Sequence, residues 1–220
     1  MLVRTWNVFH GNAVPPERRA FLRDMVELVT ADEPDVVCLQ EIPVWALTYL
    51  GGWSGMQAAS AVARPPLLWS PMLGRILTGV HHGLLRSALT GEADVILVKR
   101  PLRVGDRRMS VVSERGLRRI VHGLRIDNDV FVANFHIGAD EEQLRRVVEF
   151  LEGEERVILA GDANLPSAAA PGFSAPLPGS IDQILVRGLP STAPLAWPEE
   201  RRRFEDRLLS DHAPVELVAG

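Results

Sequence analysis

The chain has 220 residues, 46% hydrophobic and 24% charged, enough for one soluble domain with a large core. A net charge of -4 and a pI near 5.9 exclude the global basic field that drives tight, unspecific nucleic-acid binding. A single cysteine, Cys38, excludes an internal disulfide and a cysteine-ligated metal site; in the apolar run Val36–Leu39 it is expected to be a buried, inert thiol.

The most apolar stretch, Ala61 to Val80, is broken by Pro65, Pro66 and Pro71 and carries Arg64 and Arg75. It falls short of the ~18 uninterrupted apolar residues a membrane helix needs. With no cleavage signal at the N-terminus, a cytoplasmic monomer is the expectation.

Leu2 to Asn7 reads as a first strand, and Phe9-His10-Gly11-Asn12 turns out of it. Pro15 and Pro16 suit the first turn of a helix, with Phe21, Met25, Leu28 and Val29 at helical spacing. Val36 to Leu39 is a second buried strand closed by Gln40-Glu41, completing a β-α-β unit and hence a parallel or mixed sheet. From Val44 to Thr90 the pattern is weak: Gly51-Gly52-Trp53 reads as a turn, Pro65 to Pro71 as a loop and Met72 to Leu77 as a short helix. Trp69 lies in an apolar segment that suits a lid, a membrane-touching loop or ordinary core. Adjacent histidines, His81 and His82, diverge on either regular element and make a poor metal pair.

Ala93 to Val98 is a strand, Lys99 to Arg108 a basic loop and Met109 to Ser113 another strand. Ile120 to Ile126 alternates like a half-exposed strand; Asp127-Asn128-Asp129 turns it back into Val130 to Phe135, an antiparallel hairpin. Asp140-Glu141-Glu142-Gln143 is a capping box, opening a helix faced by Leu144, Val147, Val148 and Leu151. Val157 to Ala160 is a buried strand, Pro166 to Pro178 a loop, Ile181 to Val186 a strand, Arg201 to Arg203 a charged loop and Ala213 to Val218 the last strand. Two packed mixed β-sheets flanked by helices, a four-layer α/β/β/α sandwich in one domain over 1–220, is the expected architecture.

Polar residues stand beside these short apolar runs: Asn7, Glu41, Asn134 with His136, Asp162 with Asn164, Asp182, and Asp211 with His212. Singly, each fits a turn or a satisfied buried group. Together they supply only carboxylate, amide and imidazole, with no cysteine or Gly-x-Ser-x-Gly nucleophile. That set suits a hard divalent cation plus a phosphate: oxygen ligands for the metal, neutral donors for phosphate oxygens, and an acid/base.

In their order, Thr5-Trp6-Asn7, Leu39-Gln40-Glu41, Asn134-Phe135-His136, Gly161-Asp162-Ala163-Asn164, Ile181-Asp182-Gln183-Ile184 and Ser210-Asp211-His212-Ala213-Pro214-Val215 resemble the endonuclease/exonuclease/phosphatase superfamily. Deoxyribonuclease I, apurinic endonucleases, sphingomyelinases and inositol-polyphosphate phosphatases share that fold, and this chain looks like a compact bacterial member. The resemblance implies a deoxyribonuclease I-like fold and a Mg²⁺-dependent phosphoesterase, with Mn²⁺ as a second candidate metal. It implies that Glu41 is the main metal ligand, assisted by Asn7 and Asp211. It further implies that Asp162 positions or deprotonates the attacking water, Asn164 holds that water or the phosphate, His136 and His212 contact the scissile phosphate, and Asp182 orients His212. Either Asp162 or the Asp182–His212 pair serves as base. The middle strand departs from relatives that often read Gly-Asn-Ala-Ile-Leu: Gly91-Glu92-Ala93-Asp94-Val95-Ile96-Leu97 brings an aspartate instead. The only tyrosine, Tyr49, does not align with the catalytic tyrosine of many relatives.

The expected partner is a phosphoester substrate. A nucleic acid is one option, because Lys99, Arg100, Arg103, Arg107, Arg108, Arg115, Arg118 and Arg119 either track phosphates or form a solvated face. A small-molecule or lipid-headgroup phosphatase is another, and a non-catalytic phosphate-binding protein on the same fold is the alternative from a different class. A metalloprotease is set aside for want of His-Glu-x-x-His.

Overall fold

The computed structural model describes residues 1–67, 70–80 and 88–220, so the readings at Trp69, His81 and His82 lie outside the described residues. Two sheets stack face to face. The first runs β11 (Leu195–Ala196), β14 (Val215–Val218), β1 (Leu2–Asn7), β3 (Val36–Ile42), β5 (Glu92–Val98), β4 (Gln57–Arg64). The second runs β10 (Asp182–Arg187), β9 (Val157–Asp162), β8 (Val130–His136), β7 (Arg119–Ile126), β6 (Val104–Ser113). A small third sheet joins β12 (Arg203–Phe204), β13 (Arg207–Leu209) and β2 (Ala13–Val14). Each large sheet is mixed: β1 runs parallel to β3 and β8 to β9, with antiparallel neighbours on either side.

Alternation along the strands fills the layers. Val3, Cys38 and Ile96 meet Leu124, Val132, Ile158 and Ile184 between the sheets. The opposite face of the first sheet, with Trp6, Leu39 and Leu97, is covered by α1 (Leu22–Thr30) and α2 (Leu50–Ser54). The outer face of the second sheet is covered by α4 (Glu141–Phe150), which presents Leu144 and Val147, with Leu151 just beyond, to Phe131, Leu159 and Leu185. Asp140 caps α4 by accepting from the Glu142 N–H at 2.9 Å; Gln143 turns its oxygen to the Gly138 N–H at 2.9 Å, so the expected box closes one loop further back. These are the four expected layers. The described residues contain no helix long and apolar enough to cross a membrane.

Several local readings are corrected. The first helix begins at Leu22, well after Pro15 and Pro16, because the chain first pairs Ala13–Val14 into the third sheet. Gly51, Gly52 and Trp53 lie inside α2; its turn comes at Gly55, in the left-handed region (φ 69°). β4 carries four alanines and little β-propensity, and its strand conformation is imposed by pairing with β5. The short helix within 72–77 is the longer α3 (Pro71–Val80). The basic segment 99–108 already enters β6 at Val104. β7 is almost wholly buried, because Val121, on the face that periodicity marks as solvent-exposed, joins the cluster beneath α4.

One polar contact fixes the alignment of the two sheets. Asn134 on β8 donates from Nδ2 to the Leu39 and Val95 carbonyls, both at 3.0 Å, and accepts from Gln40 Nε2 at 2.7 Å. Asn134 is fully buried, and this joint places it in the framework beneath the site.

Candidate active site

All the singled-out polar residues except Asn134 gather where the strands of both sheets end. Alternation brings Asn7, at the last position of β1, to the inter-sheet side; by the same alternation Glu41 would face the helices. A register shift in β3 between Leu39 and Ile42 re-aims it, with Glu41 in the left-handed region (φ 58°). Phe9 (φ 46°), His10 (φ 53°), Asn164 (φ 49°) and Ser210 (φ 63°) share that conformation. Left-handed backbone at non-glycine residues costs on the order of 1–3 kcal/mol each, and five of the ten such residues in the described chain gather here.

Across the second sheet His136, Asp162 and Asp182 are register neighbours on β8, β9 and β10. Gly161 makes the close approach possible: a β-carbon there would lie 1.9 Å from the Phe135 carbonyl oxygen. The Ser210–His212 loop is tied down from three sides. Ser210 Oγ donates to the Asn7 carbonyl at 2.7 Å and accepts from the His212 N–H at 3.1 Å, while Trp6 Nε1 donates to the His212 carbonyl at 3.0 Å.

The two sheets meet through Asn7. Its Nδ2 donates to Glu41 Oε1 at 3.1 Å and to Asp162 Oδ2 at 2.9 Å, while its Oδ1 accepts from the Phe9 N–H at 3.0 Å. One amide therefore bridges two carboxylates from opposite sheets. Asp182 lies 2.9 Å from His212 Nδ1, and Asp162 Oδ2 lies 3.9 Å from the same nitrogen. Burial acts to lower the His212 imidazole, but its hydrogen bond to Asp182 and the charges of Asp182, Asp162 and Asp211 push it up to about 9. Burial pushes the Asp182 carboxyl up in turn, so the pair holds a proton between Asp182 and His212. Asn164 receives support at both ends: its N–H donates to Asp162 Oδ1 at 2.8 Å and its Nδ2 to the Ile137 carbonyl at 2.8 Å. Asp211 stands at the rim, half-exposed, with Oδ1 3.9 Å from His212 Nε2.

Three residues join the cluster that motif reasoning left out. Glu92 Oε1 is 3.3 Å from His136 Nδ1. Burial acts to raise the Glu92 carboxyl, but His136, His10 and Arg119 hold it near 2. Arg119 Nη1 lies 2.9 Å from Nδ1 and 2.8 Å from Nε2 of His136, and 3.4 Å from Glu92. His10 Nε2 is 3.3 Å from Glu41 Oε2. The available signals were a glutamate opening an otherwise apolar run and a histidine three positions after Asn7. His136 is pushed upward: burial opposes the shift, but Glu92, Glu41 and Asp162 outweigh burial and Arg119 together. Asp94, one β-pleat deeper, has neither carboxylate oxygen hydrogen-bonded, and burial pushes it up to about 8.

Glu41, Glu92, Asp162, Asp182 and Asp211 face one guanidinium and three imidazoles. Such an excess of carboxylate fits a hard divalent cation. The tightest set of candidate donors among the described residues is Asp162, Asp182 and His212, within 4.8 Å of one another. Because the pair holds a proton and His212 Nδ1 faces Asp182 at 2.9 Å, that set suits a proton-bearing triad better than a metal cage. Glu41, with Asn7 and His10 beside it, fits the cation better.

The basic residues do not form one surface. Lys99 pairs with Glu33, Arg108 with Glu154, and Arg118 donates to the Val62 and Ala63 carbonyls. Lys99 also follows the far end of β5, about 20 Å from Glu92 at a strand rise of about 3.3 Å per residue.

The sequence matches the profile of the Endonuclease/Exonuclease/phosphatase family over residues 5–212. No curated protein sequence matches it. Solved structures share the fold at low identity. A conserved protein of unknown function from Enterococcus faecalis V583 superposes with a TM-score of 0.75 at 16% identity, covering 100% of this chain and 99% of that one. D. rerio TDP2 complexed with a single-strand DNA product gives 0.68 at 14% identity, covering 100% and 98%. The mannosyl-6-phosphatase Bt3783 of Bacteroides thetaiotaomicron VPI-5482 gives 0.63 at 16% identity, covering 100% and 99%.

Proposed function

The chain belongs to the Endonuclease/Exonuclease/phosphatase family, and from that membership we propose that it is a divalent-cation-dependent phosphoester hydrolase, residues 1–220 forming one catalytic domain. The observation that carries the reading is the Asn7 amide bridging Glu41 and Asp162 across the two sheets, beside the Asp182–His212 pair.

In this reading Glu41 is the principal ligand for Mg²⁺ or Mn²⁺, with Asp211 contributing from the rim and Asn7 fixing the carboxylate. The bound cation neutralises charge on the phosphate oxygens. Asp162 takes the proton from the attacking water, and Asn164 orients that water. The Asp182–His212 pair is disfavoured as base because the pair already holds a proton. Asp182 holds the His212 Nδ1–H, which leaves Nε2–H to donate to a phosphate oxygen, and His136, set between Glu92 and Asp162, is the second phosphate contact. Arg119 adds fixed positive charge beside His136.

The engagement of Lys99, Arg108 and Arg118 by other groups of the chain supports a compact phosphate ester over a long polynucleotide. TDP2 with its DNA product and the mannosyl-6-phosphatase show that the shared fold serves both kinds of substrate.

The test compares wild type and Glu41→Gln on p-nitrophenyl phosphate, bis(p-nitrophenyl) phosphate and supercoiled plasmid, with Mg²⁺ and with EDTA. Hydrolysis that needs the metal and falls at least about 100-fold in the variant is expected. Nicking of the plasmid would extend the substrate class to nucleic acid. Full activity in Glu41→Gln overturns the assignment, and no hydrolysis with no Mg²⁺ binding heat points to a phosphate-binding protein instead.

A further inference from the structure

His10 is held in place by unusual means for a loop residue. Phe9, His10 and Gly11 all take positive φ in succession, the Phe9 N–H is fixed by Asn7 Oδ1, and the Gly11 carbonyl accepts from the Phe21 N–H at 2.8 Å. A β-carbon at Gly11 would lie 2.8 Å from the Leu22 β-carbon, so the turn is pressed against the start of α1 and cannot relax outward. The result is an almost fully buried imidazole whose Nε2 stands 3.3 Å from Glu41 Oε2.

That distance is close to the edge of a coordination polyhedron. Two ligand atoms each about 2.1 Å from a cation and roughly a right angle apart stand about 3.0 Å from one another. Oxygen-only sites accept Mg²⁺ readily, whereas an imidazole nitrogen shifts preference to first-row transition ions, which rank above Mg²⁺ for nitrogen donors.

We propose that His10 is a ligand to the cation held by Glu41 and sets its identity, favouring Mn²⁺ over Mg²⁺. The inference rests on the reading that Glu41 holds a cation. The competing role, a counter-ion that merely neutralises Glu41, predicts the opposite response to its removal: without His10, Glu41 would bind every cation more tightly.

The experiment titrates EDTA-stripped protein with Mn²⁺, following the loss of the free-ion electron paramagnetic resonance signal, and then displaces Mn²⁺ with Mg²⁺. Wild type, His10→Ala, His10→Asn and Glu41→Gln are compared. The asparagine variant tolerates the left-handed backbone and keeps the test valid if the alanine variant unfolds. Pulsed resonance on the bound Mn²⁺ reads directly for a coordinated nitrogen. Expected are a weakening of Mn²⁺ binding by about tenfold or more in both His10 variants, a change in Mg²⁺ binding of less than about threefold, and loss of the nitrogen modulation. Unchanged Mn²⁺ affinity with the nitrogen modulation retained, or tighter binding of both ions, overturns the role of His10. Glu41→Gln binding both ions as tightly as wild type separately overturns the site on which it rests, as does a wild type that binds neither.

Discussion

Replacing Asn134 with alanine should loosen the two sheets from one another. The side chain makes three buried hydrogen bonds, two to carbonyls on β3 and β5 and one from Gln40. At about 1 kcal/mol each these account for about 3 kcal/mol, and the void left by the amide adds about 1. A loss of about 4 kcal/mol in a chain of this size corresponds to a fall in Tm of roughly 8–16 °C. Thermal and urea unfolding in EDTA measure this without interference from metal binding. A double-mutant cycle with Gln40→Ala separates the pair term, expected at about 1 kcal/mol or more. Melting within about 3 °C of wild type, with no coupling in the cycle, would refute the view that this joint holds the sheets together.

Asp182→Asn removes the charge that holds the His212 imidazole up, so its pKa, followed by imidazole NMR, should fall; turnover should drop by about 10²–10⁴, and a rate within threefold of wild type would dismiss the pair as catalytic. Asp94 carries a folded-state pKa of about 8 against about 3.9 unfolded, so the folded chain keeps a proton the unfolded chain has released, and stability falls as pH rises through that window. Asp94→Asn should flatten that slope, by at most about 1.4 kcal/mol per pH unit, in chemical denaturation from pH 5 to 8 in EDTA, where equal slopes in both proteins would contradict it. Gly161→Ala should destabilise by about 3 kcal/mol or more, because the new methyl group meets the Phe135 carbonyl and forces β9 from β8; an unchanged urea midpoint would show that the strands part freely.

Most of the site was legible because its residues end strands, and strand ends are where apolar alternation stops abruptly. Asn7, His136, Asp162 and Asp182 could all be found that way, and the structure brings them together. What alternation could not reveal is how a residue is re-aimed. Glu41 depends on a register shift, and His10 on a strained turn that shows no pattern in one dimension. Glu92 and Arg119 were hidden for another reason: each belongs to a strand whose neighbours look like ordinary core or ordinary basic surface, and it takes the pairing of β7 with β8 and the stacking of β5 on β8 to bring them together at His136. β4 was missed because alanine is a helix former depleted in strands, which leaves the strand conformation to its partner.

Because Glu41 and Asn7 ride on one sheet and His136, Asp162 and Asp182 on the other, the site works like a vernier between two rulers. A slide of one sheet over the other by one residue is about 3.4 Å, comparable to the 2.9 Å that separates Asn7 from Asp162 and the 3.3 Å between Glu92 and His136. Distances within one ruler survive such a slip; those between rulers, such as Asn7 to Asp162, do not. The chain can therefore lose its chemistry while remaining folded, through apolar contacts such as Ile96 and Ile158 that lie deep in the seam and touch no reacting atom.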